Sequence, residues 1–361
     1  MSVPLVSVVT PSYNQAAYLE YTLRSVLGQD YPRVEYIVVD GGSTDGSVDL
    51  LRRYADRLAW WVSEPDAGQA DALRKGFARA RGEILAWLNS DDMYAPGAIA
   101  AAVRALLQHP DAGWVVGDAL SVDATGRPFH HHRGGPWGLA ELMTLHILPQ
   151  PAVFFRRTWY ARVGGVDPSF RYLMDHHLWL RLARAAGPPV YVPQVWAFAR
   201  YHPQAKNLAQ AAGFGAEALR LARWLSQDPA YAAEYASRRR AVWAAAYRFS
   251  ARYLLDGGHP WRALAHYLRA WAWHPRVAAR EAHRALYALL AGLGLSDVGR
   301  WYLRRKRAAV PAVAARHGWF NVHTWVDAVA APPPATERAA ANRARRPAPD
   351  RSAPPATEGQ P

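Results

Sequence analysis

The segment Ile84-Leu85-Ala86-Trp87-Leu88-Asn89-Ser90-Asp91-Asp92-Met93 decides how the rest of the chain is read. A short apolar run bounded by polar residues predicts a buried strand, and this one ends in two adjacent carboxylates, Asp91 and Asp92. Paired acids at a strand's carboxyl end cost charge repulsion and desolvation. A divalent cation relieves both, and open α/β sheets bind ligands in the crevice at those strand ends. The expectation is a metal-diphosphate site.

Upstream, the same pattern recurs. Leu5 to Val9 reads as a strand closed by Thr10-Pro11-Ser12-Tyr13-Asn14, and Tyr18, Leu19, Thr22, Leu23, Val26 and Leu27 follow at helical spacing. Val34 to Val39 ends in Asp40-Gly41-Gly42-Ser43-Thr44-Asp45-Gly46, where glycines let backbone approach a ligand and Asp45 is placed to cap the next helix. Trp60 to Val62 leads into Ser63-Glu64-Pro65-Asp66-Ala67-Gly68, and a helix is predicted from Gln69 to about Arg81. Strands ending in acid-bearing loops, with helices between them, predict a doubly wound α/β sheet, mixed but mostly parallel, with helices on both faces.

Downstream, Trp114 to Gly117, Leu120 to Val122, Val190 to Val192 and Val195 to Phe198 read as four short strands, and Gln150 to Phe155 as another. His130 to Arg133 reads as a solvated loop tip, since consecutive histidines do not converge on a metal. Asp175 precedes Leu178, Trp179, Leu182 and Ala186 and so lies near a helix N-terminus, where capping is its ordinary use. From about Ala211 the composition turns to alanine, arginine and tryptophan at helical spacing, with a helical hairpin at 243–255 and 261–273. The expected organisation is a catalytic domain over 1–210, a helical region over 211–330 and a disordered Pro/Ala-rich tail over 331–361.

The 361 residues are 51% hydrophobic and 20% charged, which excludes disorder for most of the length. With no cysteine, a metal must sit on Asp, Glu or His. No apolar window is long enough for a membrane span and the N-terminus lacks a basic signal-peptide region, so a cytoplasmic protein is expected. The net charge of +14 suits either an anionic partner or arginine scattered over a solvated surface. Ala285 to Leu295, flanked by Arg280, Arg284, Arg300, Arg304, Arg305, Lys306 and Arg307, suits either an anionic membrane surface or one more packed helix with a solvated basic face. Nucleic acid is not expected, because no basic helix carries interleaved stacking aromatics.

Five ordered pieces resemble the family 2 glycosyltransferases of the GT-A fold over the first two hundred residues: the segments 8–14, 38–46, 63–68, 88–92 and Met174-Asp175-His176-His177-Leu178-Trp179-Leu180-Arg181. The resemblance implies an inverting, metal-dependent transfer from a nucleoside-diphosphate sugar to a glycan or lipid-linked acceptor, in cell-surface polysaccharide or glycoconjugate synthesis, either free in the cytoplasm or peripheral at the inner face of a membrane. The alternative is a non-catalytic nucleotide-sugar or glycan-binding module on the same fold. By position, Pro11, Tyr13 and Asn14 wall the nucleotide, Asp40 meets its base, and Asp66 and Arg74 lie on the donor side. Asp91 and Asp92 cover the metal motif for Mn2+ or Mg2+, with Asn89 where the first acid of an Asp-any-Asp motif stands, and the choice of ligand between them stays open. Gly41 stands where many relatives carry a second Asp, and Arg74 where many carry Asn. His202 resembles a histidine placed near the donor diphosphate and joins the metal candidates. Asp175 matches the catalytic base, although a helix N-terminus stabilises a carboxylate and weakens it as a base. Gln150 and Trp137 are candidate acceptor-side walls.

Overall fold

Alternation along the first two strands sets the layers. Val6 and Val8 of β1 (Val6–Ser12), with Tyr36 and Val38 of β2 (Val34–Asp40), pack under α1 (Ala16–Leu27), α2 (Ser47–Tyr54) and α4 (Ala98–Gln108). Val9, Ile37 and Val39 point the other way, beneath α3 (Gln69–Arg79) and α7 (Met174–Ala186). Both faces of the sheet are therefore covered, as its long apolar strands require. The computed structural model describes residues 3–295 and 311–329. The basic residues Arg300 to Arg307 and the tail from Ala331 lie outside the described residues.

Nine strands form one mixed sheet in the order β3-β2-β1-β4-β8-β6-β9-β5, with β7 paired to β6. The additional strands are β3 (Trp60–Ser63), β4 (Ile84–Trp87), β5 (Met93–Tyr94), β6 (Trp114–Asp123), β7 (Pro128–His132), β8 (Val153–Arg156) and β9 (Val190–Tyr201). Neighbours β3, β2, β1 and β4 run parallel, as do β6 and β9, while β8 and β5 enter antiparallel. The carboxyl ends of β1 to β4 thus share one edge of the molecule.

Local reading differs from the fold in a few places. The first strand continues through Pro11 to Ser12, paired with Val39 and Asp40 of β2. Pairing with β4 stops at Val9, so a proline without an N–H fits on the open side. The four short strands expected downstream are two long ones, β6 and β9, interrupted by register shifts around Gly117 and Asp118. The triple histidine is not a solvated tip. It is β7, where His131 Nε2 lies 2.8 Å from buried Asp118 and His132 Nε2 lies 3.1 Å from the Ile147 carbonyl. Burial pushes the His132 imidazole down to about 4, so it is neutral and structural. Asp118 belongs to another strand, which is why the sequence neighbourhood of the histidines gave no sign of it.

The helical segment packs directly on the sheet's second face. Ala218, Leu221 and Leu225 of α9 (Ala211–Gln227) and Val242, Ala245 and Phe249 of α10 (Ala232–Asp256) share one core with Leu178, Trp179 and Leu182 of α7. The expected hairpin is formed by α10 and α11 (Pro260–Trp273), with α13 (Ala282–Gly292) beside it.

A Cβ at Gly117 would lie 2.4 to 2.7 Å from three atoms of the Trp196 ring, itself fully buried against Phe154. Because that ring is fully buried, Gly117→Ala should lower the unfolding free energy by about 1–3 kcal/mol. A urea titration checks this, and an unchanged midpoint would show that the ring shifts freely.

Candidate active site

The loops at the shared strand edge tie themselves together before any ligand is considered. Asn14 adopts φ 51°, and from there its N–H donates to Ser43 Oγ at 2.7 Å while its Oδ1 accepts from the Thr44 N–H at 2.9 Å. Asp45 accepts from the Ala16 N–H at 2.8 Å, so it caps α1 as well as meeting the Ser47 N–H at the start of α2. Pro11 is buried beneath this loop and Tyr13 stands out of it, 62% exposed.

Asp40 is fully buried. Its carboxylate accepts from the Ser43 N–H (2.8 Å), the Gly42 N–H (3.2 Å), Ser43 Oγ (2.6 Å) and Ser63 Oγ (2.7 Å). Four such bonds occupy most of a carboxylate's acceptor capacity, so Asp40 shapes the loop. Asp66 comes closer to open space. Its Oδ1 accepts from the Gly68 N–H at 2.7 Å, and a Cβ at Gly41 would sit 2.8 Å from its Oδ2. The volume a side chain at position 41 would take is filled by the Asp66 carboxylate. Arg74 is exposed on α3, its charge felt by the Tyr160 phenol.

The acid pair sits in the turn between β4 and β5, and the β5–β9 register (Met93 to Phe198) brings the end of β9 across from it. Asp92 is turned inward: one oxygen accepts from the Arg200 N–H at 2.9 Å, the other from Asn89 Nδ2 at 3.1 Å. Burial, then the adjacent Asp91 charge, holds its carboxyl well above the usual range. Asp91 is partly exposed, and its Oδ2 lies 3.1 Å from His202 Nε2, an interaction that raises the imidazole above its ordinary value. Arg200 braces the turn through Nε to the Asp91 carbonyl, with its guanidinium over the Tyr18 and Tyr21 rings.

Asn89 is the hub of a polar chain. It bonds Asp92, Gln150 Oε1 at 3.2 Å and Gln69 Nε2 at 2.8 Å. Gln69 Oε1 in turn accepts from Lys206 Nζ at 3.2 Å. Lys206 is pushed down to about 8 by burial and the neighbouring Arg171, partly offset by Glu217 and Asp175. Asp175, in the first turn of α7, is raised to about 6, by burial first, with the Glu217 charge adding to it and backbone N–H bonds and Lys206 opposing it. Asp175 as a residue is half-buried.

The structure therefore brings Asp91, Asp92 and His202 together at the turn, and hydrogen bonds run from Asp92 through Asn89 and Gln69 to Lys206, whose charge acts on Asp175. Tyr13 and Arg74 stand outside these contacts, each exposed. Trp137 packs at the rim of the core, its ring against His146. Among the described residues no group of three or more His, Cys, Asp or Glu side chains is placed to hold a metal on its own. Asp91 with His202 nonetheless offers an oxygen and an imidazole nitrogen, a donor set that fits a divalent cation also bound by a diphosphate.

Sequence reasoning missed four residues here. Gln69, Arg200 and Lys206 carry no pattern of their own. Glu217 does: with Leu221 and Leu225 it lies at i, i+4 and i+8, an acid on an apolar stripe. It is buried, and its carboxylate accepts 2.6 Å bonds from the N–H groups of Arg171, Tyr172 and Leu173, the three residues entering α7.

This architecture is the GT-A fold. A mannosyltransferase from Pyrobaculum calidifontis, PcManGT, solved in complex with GDP-Man and Mn2+, superposes with a TM-score of 0.55 at 24% identity, over 85% of each chain. The model of Glycosyl transferase family 2 matches residues 7–170. An uncharacterized glycosyltransferase of Mycobacterium tuberculosis is 34% identical over 194 residues, 52% of this chain and 72% of that one. TuaG of Bacillus subtilis, a putative teichuronic acid biosynthesis glycosyltransferase, is 46% identical over 94 residues, 25% of this chain and 37% of its own. The chain belongs to glycosyl transferase family 2 and is a glycosyltransferase.

Glu217→Gln removes acceptor capacity from three backbone donors facing a buried carboxylate and should cost about 1–3 kcal/mol. The drop in urea midpoint measures it; no change would mean that water replaces the carboxylate.

Proposed function

We propose that this transferase moves a sugar from a nucleoside-diphosphate donor to an acceptor hydroxyl with inversion, with a divalent cation bound, in the synthesis of a cell-surface polysaccharide or glycoconjugate. The observation that carries the reading is the chain of hydrogen bonds from Asp92 in the acid turn through Asn89 and Gln69 to Lys206, whose charge acts on Asp175. The teichuronic acid assignment of TuaG supports the polysaccharide setting, and GDP-Man with Mn2+ on PcManGT supports the donor class and the metal. The acceptor we infer is a glycan or a lipid-linked saccharide, met at the cytoplasmic side of a membrane.

In this reading Asp91 and His202 hold the cation, which when bound supplies Lewis-acid stabilisation to a departing diphosphate. Asp92 holds the turn. The Asp175 carboxylate takes the acceptor's hydroxyl proton as that oxygen bonds to the anomeric carbon and the bond to the diphosphate oxygen breaks. Lys206, protonated at neutral pH, keeps the crevice cationic beside the donor. The Asp40 loop and Asp66 border the nucleotide, with Pro11, Tyr13 and Asn14 forming its wall, and Arg74 reaches the donor side from α3.

Asp175→Asn should abolish transfer while nucleotide-sugar binding, read by calorimetry, persists. A carboxyl at about 6 is ionised only above that pH, so kcat/KM should fall about tenfold per unit below it. The same raised value means that the folded state binds more protons than the unfolded one between 3.8 and about 6, so stability falls as pH rises through that window. The Asn variant should escape this loss and melt no lower than the parent at pH 8. Normal activity in that variant would defeat the assignment.

Asp91→Asn should weaken Mn2+ binding tenfold or more, followed by titration calorimetry with the metal alone and with nucleoside diphosphate. Asp92→Asn should instead lower the melting temperature. The reverse pattern would exchange the two roles.

A further inference from the structure

We infer that α11 and α13 form a docking surface for an anionic lipid bilayer. Among the described residues, seven of the eleven exposed large apolar side chains fall in one 35-residue stretch: Trp261, Leu268 and Trp271 on α11, and Leu286, Leu289, Leu293 and Leu295 on or just after α13. Scattered singly, such residues mean nothing; gathered on one patch, they mark a contact surface.

The helices bring them together by ordinary packing. Ala263, Tyr267 and Ala270 turn α11's buried side inward, with Tyr267 in one cluster with Ala288 of α13. Trp261, Leu268 and the exposed alanines 265 and 272 then recur at i, i+4, i+7 and i+11 on the outer side, and Leu286, Leu289 and Leu293 do the same at i, i+3 and i+7. The Trp261 ring lies over Gly292, where a Cβ would be 2.8 Å away, so the two apolar stripes are continuous.

Charge chooses the occupant. From Pro260 to Leu295 the chain holds five arginines and one acid, Glu281. Glu281 is already paired with Arg248 at 2.7 Å, and nearby Asp256 with Arg284 at 3.1 Å. Arg262, Arg269, Arg276 and Arg280 are exposed with no carboxylate partner among the described residues. A second copy of this chain would set arginine against arginine. Anionic headgroups instead neutralise each arginine, worth about 1 kcal/mol per residue near such a surface, while tryptophan and leucine enter the headgroup–acyl boundary. Among the described residues no helix is long and apolar enough to cross a membrane, so the contact proposed for α11 and α13 lies on the surface. The inference stands on this surface alone, and its failure leaves the transferase reading intact.

The full chain should co-sediment with phosphatidylcholine–phosphatidylglycerol vesicles at least tenfold better than with phosphatidylcholine alone, and less well as salt rises. Leu268→Asp with Leu293→Asp should cut that binding at least tenfold, and so should Arg262→Gln with Arg269→Gln and Arg276→Gln. Unaltered circular dichroism melts and donor hydrolysis would show both variants folded. Three results would overturn the proposal: equal partition onto the two vesicle types, variants that pellet like the parent, or a self-association in ultracentrifugation that the leucine variant abolishes while vesicle binding is unmoved.

Discussion

Three stacked indoles set the geometry on which the crevice depends. Trp179 of α7 lies between Trp87 of β4, at 5.3 Å and 17°, and Trp114 of β6, at 5.6 Å and 19°. All three are buried, and offset stacking adds to what their burial already contributes. Trp87 is four residues before Asp91, and Trp179 is four residues, one helical turn, after Asp175. The two carboxylates assigned to opposite ends of the reaction are thus spaced by a packed aromatic wedge. A rigid spacer matters because misplacement of a reacting group by about an ångström costs orders of magnitude in rate.

The same logic separates the two acids of the turn. One acid with solvent access suffices to meet a ligand, but the turn that carries it must be held. Asp92 does the holding through the Arg200 N–H and Asn89, and Arg200 is fixed by the Tyr18 and Tyr21 rings and by His323 of the helix Val322–Val329. Asn89 replaces the acid of the more usual motif and adds what a carboxylate lacks: an N–H donor for Asp92 and Gln150 together with an acceptor for Gln69. A third negative charge there would raise the repulsion already borne by a buried acid.

What the sequence made legible was whatever is local. Apolar runs, helical spacing and acid-bearing strand ends placed β1 to β4 and their loops, because each signal is written within a dozen residues. The polar chain from Asn89 to Lys206 was not legible, since its partners lie 20 and 137 residues apart and meet only through the fold. The triple histidine was misread for the same reason, its partner Asp118 lying on the neighbouring strand. Asp40 reads as a ligand-facing acid from its position at a strand end, yet the hydroxyls and N–H groups that fill it come from two separate loops.

Asp175 poses the sharpest conflict between position and use. A helix N-terminus favours the ionised carboxylate by about 0.3–1 kcal/mol at an exposed site. Raising the carboxyl from 3.8 to about 6 requires opposing effects that exceed this by about 2–3 kcal/mol in total. Burial supplies the larger part, and Glu217 the rest of the upward push. Glu217 already faces the same helix terminus, accepting the three N–H bonds at its entrance. The helical segment after β9 therefore contributes more than bulk: it carries an acid whose charge adds to burial in raising the Asp175 carboxyl in the first turn of α7.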